Sequence, residues 1–199
     1  MARKFEIIEQ QLCYQGFFRL ERYRLRHELF AGGMSRVLTR ELLERGHAVA
    51  VLPYDPALDA VVLIEQFRVG ALQEPEGPWL LEIPAGMIEE GERAEGVAHR
   101  EVREEAGCDM QELLPICEYL VSPGGTSERI SLFCGRIDSR SLGGVQGLHD
   151  EGEDILVHVL PVAEALELMT SGRIRTASPI IALQWLASHH GELRARWRA

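Results

Sequence analysis

The most informative stretch of the chain is residues 85–108, which read AGMIEEGERAEGVAHREVREEAGC. In its second half, small apolar side chains recur at every fourth position, the spacing of one buried helix face: Ala94, Ala98, Val102 and Ala106. Gly107 follows directly, and glycine is favoured just beyond a helix C-terminus. The pattern predicts a helix over residues 93–106.

Three carboxylates lie close together on the polar side of this helix. Glu101 and Glu105 are one turn apart, and Glu104 adjoins them. Like charges at this spacing destabilise a helix by about 0.2–0.5 kcal/mol per pair. One interpretation is a solvated helix face on which Arg100 and Arg103 balance the charge. The other is half of a divalent-cation site, because Mg²⁺ prefers oxygen ligands. The helical spacing alone leaves both open.

The whole stretch resembles the Nudix box, G-x5-E-x7-R-E-U-x-E-E-x-G-U, in which U is a bulky aliphatic residue. Gly86 and Glu92 begin the match, and residues 100–108, REVREEAGC, complete it. Every fixed residue agrees, and Cys108 stands where the last aliphatic residue is usual. A motif of this length is far more specific than a lone glycine pattern. The resemblance implies a metal-dependent hydrolase of nucleoside diphosphates linked to another group. It also implies an α/β fold, an α/β/α sandwich with a mixed β-sheet.

The resemblance further implies roles for particular residues. The expected metal ligands are the backbone carbonyl of Ala85 and the side chains of Glu101, Glu105 and Glu153. Glu104 would act through water, Arg100 would orient the carboxylates, and Glu92 would brace the loop. Mg²⁺ is the expected ion, with Mn²⁺ as a substitute. A cation is needed because carboxylates repel a diphosphate by about 4 kcal/mol per charge pair at 4 Å in a partly screened site.

Residues outside the box make the chain similar to the bacterial ADP-ribose pyrophosphatase branch of this family. The segment SPGGTSE, residues 122–128, resembles the substrate loop of that branch, and the similarity extends over nearly the whole chain. In such enzymes the N-terminal strands exchange between two subunits, which then share their substrate sites. The implied substrate contacts are Phe17, Phe18, Arg40, Glu41, Arg45, Arg68, Met87, Ser122, Pro123, Gly124 and Glu128.

A long loop is predicted at residues 138–154. It contains four glycines and ends in acidic residues, and a loop of this length is usually either functional or disordered. The resemblance implies that a glutamate of such a loop closes over the substrate and activates the attacking water. We assign Glu151 as general base and Glu153 as a metal ligand. The exchanged assignment and a merely solvated acidic turn both stay open.

The length and texture of the chain predict two regions. A chain of 199 residues with 46% hydrophobic and 26% charged residues is typical of a soluble globular protein. Residues 1–45 are predicted to form a β-rich dimerisation segment with a hairpin turn at Gly32 and Gly33, and residues 46–199 a Nudix hydrolase domain. Strands are predicted at 47–54, 60–68, 116–121, 128–137 and 155–160, and further helices at 161–169 and 179–189.

Charge and composition exclude several classes of function. The net charge of −10 argues against nucleic acid as a partner. No apolar run is long enough for a membrane span, and the opening MARKFEIIEQ lacks the apolar stretch of a signal peptide, so we predict a cytoplasmic protein. The four cysteines have no metal spacing and are predicted to be small buried residues. The basic tail, residues 192–199, is predicted to be a solvated helix end.

These observations predict an enzyme whose partner is a small nucleoside diphosphate sugar. The expected reaction is hydrolysis of ADP-ribose to AMP and ribose 5-phosphate by a homodimer with shared active sites. One alternative is hydrolysis of another nucleoside diphosphate sugar, such as a GDP-hexose. A second is a non-catalytic nucleotide-sugar sensor on the same fold, although a sensor has no need of the full carboxylate cluster.

Overall fold

The computed structural model describes residues 3–148, 150 and 152–197. The chain divides into two compact units. The first unit comprises Met1–His47 and Tyr119–Ile130, and the second comprises Ala48–Glu118 and Ser131–Ala199.

The first unit contains an antiparallel sheet with the order β1-β2-β3, three-stranded over the described residues: β1 Phe5–Gln15, β2 Arg19–His27 and β3 Leu38–Glu44. Every residue of β1 is exposed. Gly32 and Gly33 lie between β2 and β3 with φ of 91° and 78°, a left-handed backbone that glycine adopts without strain. The predicted N-terminal β-rich piece is therefore confirmed.

A larger mixed sheet, eight-stranded over the described residues, carries the second unit. Its spatial order is β10-β11-β5-β4-β9-β8, with β6 paired to β5 and β7 paired to β4. The strands are β4 His47–Asp55, β5 Ala60–Phe67, β6 Trp79–Glu82, β7 Ala85–Ile88, β8 Glu112–Leu120, β9 Arg129–Arg136, β10 Gly144–Gln146 and β11 Ile155–Pro161. A short 3₁₀ helix, Val69–Ala71, follows β5.

Helices cover both faces of this sheet. The helix α1, Ala94–Ala106, packs its small apolar stripe against Val49, Val62 and Ile64. Gly107 ends α1 with a left-handed φ of 70°, as the sequence predicts. The helices α2, Val162–Thr170, and α3, Ala177–Trp197, pack against each other, and α2 also contacts β5 and β11. The predicted α/β/α sandwich is confirmed, and α1 is the layer that brings carboxylates to β7.

Some local expectations were wrong. The helix predicted at 179–189 begins at Ala177 and runs to Trp197, because Leu193 and Trp197 are buried and hold the tail against the fold. Strand β10 forms inside the predicted loop 138–154. Strands β6 and β7 were not predicted, because four-residue strands give little periodicity.

Two of the cysteine expectations were also wrong. Cys108 and Cys134 are buried as predicted, whereas Cys13 and Cys117 are exposed on their strands. Over the residues that the structure describes, no helix has the length and apolar character that crossing a membrane requires.

Candidate active site

Two carboxylates of α1 are held against strand β7. The Ala85 amide N–H donates a hydrogen bond to Glu105 Oε2 at 2.8 Å. A Cβ added at Gly86 would lie 2.0 Å from Glu101 Oε1, which is far inside van der Waals contact. Gly86 is therefore required because the Glu101 carboxylate occupies the space of its missing side chain. Both glutamates are buried, with relative exposures of 7% and 3% for Glu101 and Glu105.

The Glu105 carboxylate, unlike that of Glu101, has no arginine or lysine within ion-pair distance among the described residues. Burial raises the pKa of Glu105 to about 8, and the negative charges of Glu101 and Glu153 add to that rise. The Ala85 N–H and the more distant charge of Arg68 oppose it without cancelling it. Glu105 is thus surrounded by more negative charge than the local donors neutralise.

Arg100 contacts three acidic residues of the 85–108 stretch. Its Nη1 lies 2.7 Å from Glu101 Oε1 and 3.4 Å from Glu104 Oε2, and its Nη2 lies 3.6 Å from Glu92 Oε2. The same Glu92 oxygen accepts a hydrogen bond from the Glu89 amide N–H at 2.9 Å. These contacts place Arg100 where it can orient Glu101, and Glu92 where it can brace the loop before α1.

The donor set fits a divalent cation. Glu101 and Glu105 supply buried anionic oxygens next to the Ala85–Gly86 peptide, and a doubly charged ion would remove the repulsion between them. Among the described residues, no three His, Cys, Asp or Glu side chains form a complete metal cage. A cation bound here would complete its coordination with water and substrate oxygens, as Mg²⁺ commonly does.

Glu153 lies in the same electrostatic neighbourhood but bonds within its own loop. Its Oε2 accepts the Leu148 N–H at 2.9 Å, while its own N–H donates to the Leu148 carbonyl at 3.2 Å. Gly147 has a left-handed φ of 101°, and a Cβ there would lie 2.8 Å from the Cβ of Glu153. Glu151, the predicted general base, lies outside the described residues.

Arg68 lies directly after β5 and is paired to Glu82 of β6, with Nε and Nη2 at 2.9 and 2.8 Å from Glu82 Oε2. Gln66 donates to the same oxygen at 3.3 Å. Sequence reasoning missed Glu82 and Gln66. The sequence offered no local signal for them, because β6 has only four residues and the contact depends on the β5–β6 register. Met87 lies on β7 beside Gly86, partly exposed.

The other predicted substrate contacts belong to the first unit. Arg45 joins two of them, because its Nε lies 3.4 Å from Glu128 Oε1 and its guanidinium carbon lies 5.2 Å from the Phe18 ring centroid. Phe17 packs edge-on to Phe18 at 4.9 Å and is 85% exposed. Arg40 donates to the neighbouring Thr39 carbonyl at 2.8 Å.

The loop with Ser122, Pro123 and Gly124 is tied to β3 within the same unit. The Leu43 N–H donates to the Gly125 carbonyl at 2.8 Å, and the Gly125 N–H donates to the Ser122 carbonyl at 2.9 Å. Glu41 lies opposite Arg22 in the β2–β3 pairing. The predicted contacts therefore fall into a first-unit group and a second-unit group.

The fold and the carboxylate site define a Nudix protein. The NUDIX domain matches residues 44–179, and the chain belongs to that family. Nudix hydrolases generally use divalent metal ions.

Individual known proteins are similar to this chain over most of its length. An ADP-ribose pyrophosphatase of Escherichia coli strain K12 is 51% identical over 192 residues, which cover 96% of this chain and 92% of the relative. A GDP-mannose pyrophosphatase of Pectobacterium atrosepticum is 32% identical over 185 residues, covering 92% of this chain and 94% of the relative. A crystal structure described as an ADP compounds hydrolase has a TM-score of 0.73 at 22% identity, covering 98% of both chains, and so shares the fold.

Proposed function

We propose that this protein hydrolyses the pyrophosphate bond of ADP-ribose to AMP and ribose 5-phosphate, with Mg²⁺ or Mn²⁺ as cofactor. The observation that carries the proposal is the pair of buried glutamates, Glu101 and Glu105, held at Ala85 and Gly86, where burial and neighbouring carboxylates raise the pKa of Glu105. The 51% identical relative is named for the same substrate and supports it. The net charge of −10 also favours a small molecule over nucleic acid.

The proposed roles come from the family pattern, and the geometry around Glu101 and Glu105 supports them. Glu101, Glu105, Glu153 and the Ala85 carbonyl would hold the cation. When bound, that cation would neutralise the diphosphate and make hydroxide available near neutral pH. Arg100 keeps the Glu101 carboxylate in one orientation through its 2.7 Å contact. The guanidinium of Arg68 is held by its ion pair with Glu82, and it would bind a diphosphate oxygen.

The attacking water needs a base, and we propose Glu151 for that role. In the described part of the loop, Glu153 shares its carboxylate with the Leu148 N–H, which leaves it less suited to accept a proton from water. Comparing Glu151→Gln with Glu153→Gln tests the assignment. Loss of the base should lower kcat at saturating metal, whereas loss of a metal ligand should be relieved in part by raising the Mg²⁺ concentration.

We propose a homodimer in which the first unit of one subunit completes the substrate site of the other, with Phe17, Phe18, Arg40, Glu41, Arg45 and the 122–128 loop as adenosine contacts. All eleven residues of β1 are exposed, among them Phe5, Ile7 and Leu12, and a sheet of this size is rarely stable without an apolar partner. Sedimentation should therefore show a dimer.

A mixing experiment tests whether the sites are shared. Arg40→Ala and Glu105→Gln subunits should each be nearly inactive alone. Randomly exchanged subunits should recover about a quarter of the wild-type activity, because half of the dimers are mixed and each has one intact site. No recovery in a verified mixed dimer would show that each site is built from a single subunit.

The central experiment is a substrate panel with product analysis. Purified protein with Mg²⁺ should release AMP from ADP-ribose at a higher kcat/KM than it releases GMP from GDP-mannose. The second substrate is included because a GDP-mannose pyrophosphatase is 32% identical over most of the chain. Preference for GDP-mannose would move the proposal to that class. Tight nucleotide binding without turnover of any substrate would establish the sensor alternative.

A further inference from the structure

Glu82 is a partly buried carboxylate beside the candidate site, and the roles proposed above do not include it. Its side chain is 13% exposed, whereas that of its partner Arg68 is 44% exposed. Arg68 Nε and Nη2 and Gln66 Nε2 all reach the same oxygen, Oε2 of Glu82, at 2.8–3.3 Å. Ion pairs with a guanidinium donating twice to one carboxylate are geometrically specific.

Strand register explains why these three side chains meet. In the β5–β6 pairing Ile64 is opposite Glu82 and Gln66 is opposite Leu80. Side chains alternate along a strand, so Gln66 and Glu82 are on the sheet face of Ile64, which packs in the same cluster as α1. Arg68 continues the same parity one residue beyond β5. The positive charge of Arg68 consequently acts on Glu105 and opposes the rise in pKa that burial causes there.

The contacts with Glu82 restrict the conformations of the Arg68 side chain. A free arginine side chain has rotamer entropy worth up to about 2 kcal/mol, and binding a diphosphate with it would require that entropy to be lost. Here Gln66 is buried and orients Glu82, and Glu82 holds two of the guanidinium nitrogens. The Arg68 guanidinium is thereby fixed before substrate arrives.

We propose that Glu82 is a positioning residue that acts through Arg68, with Gln66 as its support. The inference rests on the proposed function, because it assigns Arg68 to the diphosphate. Glu82 does not touch the substrate in this proposal. Its effect should therefore vanish when Arg68 is removed.

A double-mutant cycle measures this dependence. Glu82→Ala should raise KM for ADP-ribose and lower kcat/KM about tenfold, the scale of one charge-assisted contact. Arg68→Ala should cost as much or more. In the Arg68→Ala background, Glu82→Ala should cause no further loss. Glu82→Gln, which keeps an acceptor oxygen for Arg68, should lie between Glu82→Ala and the wild type.

Glu65→Ala is the matched control. Glu65 lies on the same strand β5 but on its other face, where it pairs with Arg173 at 2.8 Å. It is a partly buried carboxylate paired with an arginine, like Glu82, so its loss should cost comparable stability and leave the kinetic constants unchanged. Thermal unfolding of every variant separates unfolding from a kinetic effect.

Binding of the non-hydrolysable α,β-methylene analogue of ADP-ribose, measured by calorimetry, gives a readout besides turnover. The Kd of this analogue should rise about tenfold in Glu82→Ala and not further in the double variant. Additive losses in the cycle, or an unchanged Kd in Glu82→Ala, would overturn the inference while the wild type still cleaves ADP-ribose. An inactive wild-type protein would instead overturn the proposed function.

Discussion

Two carboxylates in the second unit are buried to the same degree and behave in opposite ways. Asp55 is 2% exposed and Glu105 is 3% exposed. Burial acts to raise the pKa of Asp55, yet that pKa is lowered overall, because donors surround the carboxylate. These are the amides of Ala57 and Leu58 on one oxygen and the amide and hydroxyl of Ser139 on the other. Glu105 has the Ala85 N–H and two nearby carboxylates instead, and its pKa is raised to about 8.

The difference separates a carboxylate that stabilises the fold from one available to a ligand. Protein donors satisfy the charge of Asp55, so Asp55 stabilises the β4–β5 turn and binds residue 139 to that turn. The protein does not satisfy the charge of Glu105, which destabilises the unliganded protein and leaves the carboxylate available to a bound ligand. Burial alone therefore does not distinguish a carboxylate that stabilises the fold from one that binds a ligand. The number of hydrogen-bond donors around each carboxylate distinguishes them.

Replacement of Glu105 by Gln should have the largest effect and should test whether its unsatisfied charge serves a ligand. Loss of the charge removes cation stabilisation of the reaction, so kcat/KM should fall by about 10³, or about 4 kcal/mol of barrier. The same change removes repulsion from Glu101 and Glu153, so the melting temperature of the metal-free protein should rise. AMP release and thermal unfolding in EDTA measure the two quantities.

Addition of Mg²⁺ provides the control for that variant. The wild-type melting temperature should rise with Mg²⁺ concentration, because a ligand that binds only the folded state stabilises it, and the rise should be lost in Glu105→Gln. A Glu105→Gln protein that is folded, less stable than the wild type and nearly as active would contradict the assigned role.

Replacement of Asp55 by Asn should test whether its satisfied charge stabilises the fold. An amide group at this position presents its NH₂ to amide and hydroxyl donors and leaves buried groups unpaired, so unfolding should become easier by about 2–4 kcal/mol. Urea unfolding at neutral pH measures this loss, and the kinetic constants of the remaining folded protein should change little.

The pH dependence of that loss has a definite sign. The folded-state pKa of Asp55 lies below its unfolded value, so its charge contributes full stability above about pH 4 and progressively less as the pH falls through the folded pKa. The wild-type and Asp55→Asn stabilities should therefore converge in acid. A gap that stays constant down to low pH would show that Asp55 contributes through shape and not through charge.

Asp55 and Glu105 also differ in how far their surroundings could be predicted from the sequence. The spacing of Glu101 and Glu105 on α1, and the strands β4, β5, β9 and β11, follow from local periodicity, which the sequence contains in full. The partners of Asp55 do not, because Ser139 is 84 residues away and meets it only in the folded chain. Glu82 was missed for the same reason, since its contact with Arg68 depends on the β5–β6 register.

Replacement of Gly86 by Ala should disturb the carboxylate site without changing any charge. The added methyl group would overlap the Glu101 carboxylate, so that carboxylate must move, and kcat/KM should fall about 10- to 100-fold. Gly96→Ala is the matched control, because Gly96 lies in α1 with open space around it. That control should keep full activity and gain about 0.5–1 kcal/mol of stability. Equal activity losses in both variants would show that rigidity of the box, and not the position of Glu101, is limiting.

Replacement of Asp59 by Asn should have the smallest effect and provides an intermediate case. Burial acts to raise the pKa of Asp59, but side-chain partners lower it overall: Tyr54 at 2.9 Å, His190 at 2.6 Å and Arg194 at 3.2 Å. The side chains of Asp59, His190 and Arg194 are each about one-third exposed, so water can replace the His190 and Arg194 donors. Asparagine also tolerates the left-handed φ of 57° found here. The free energy of unfolding should fall by about 1 kcal/mol, less than in Asp55→Asn, as measured by urea unfolding. A loss as large as that of Asp55→Asn would show that side-chain donors fix a buried carboxylate as firmly as backbone amides do.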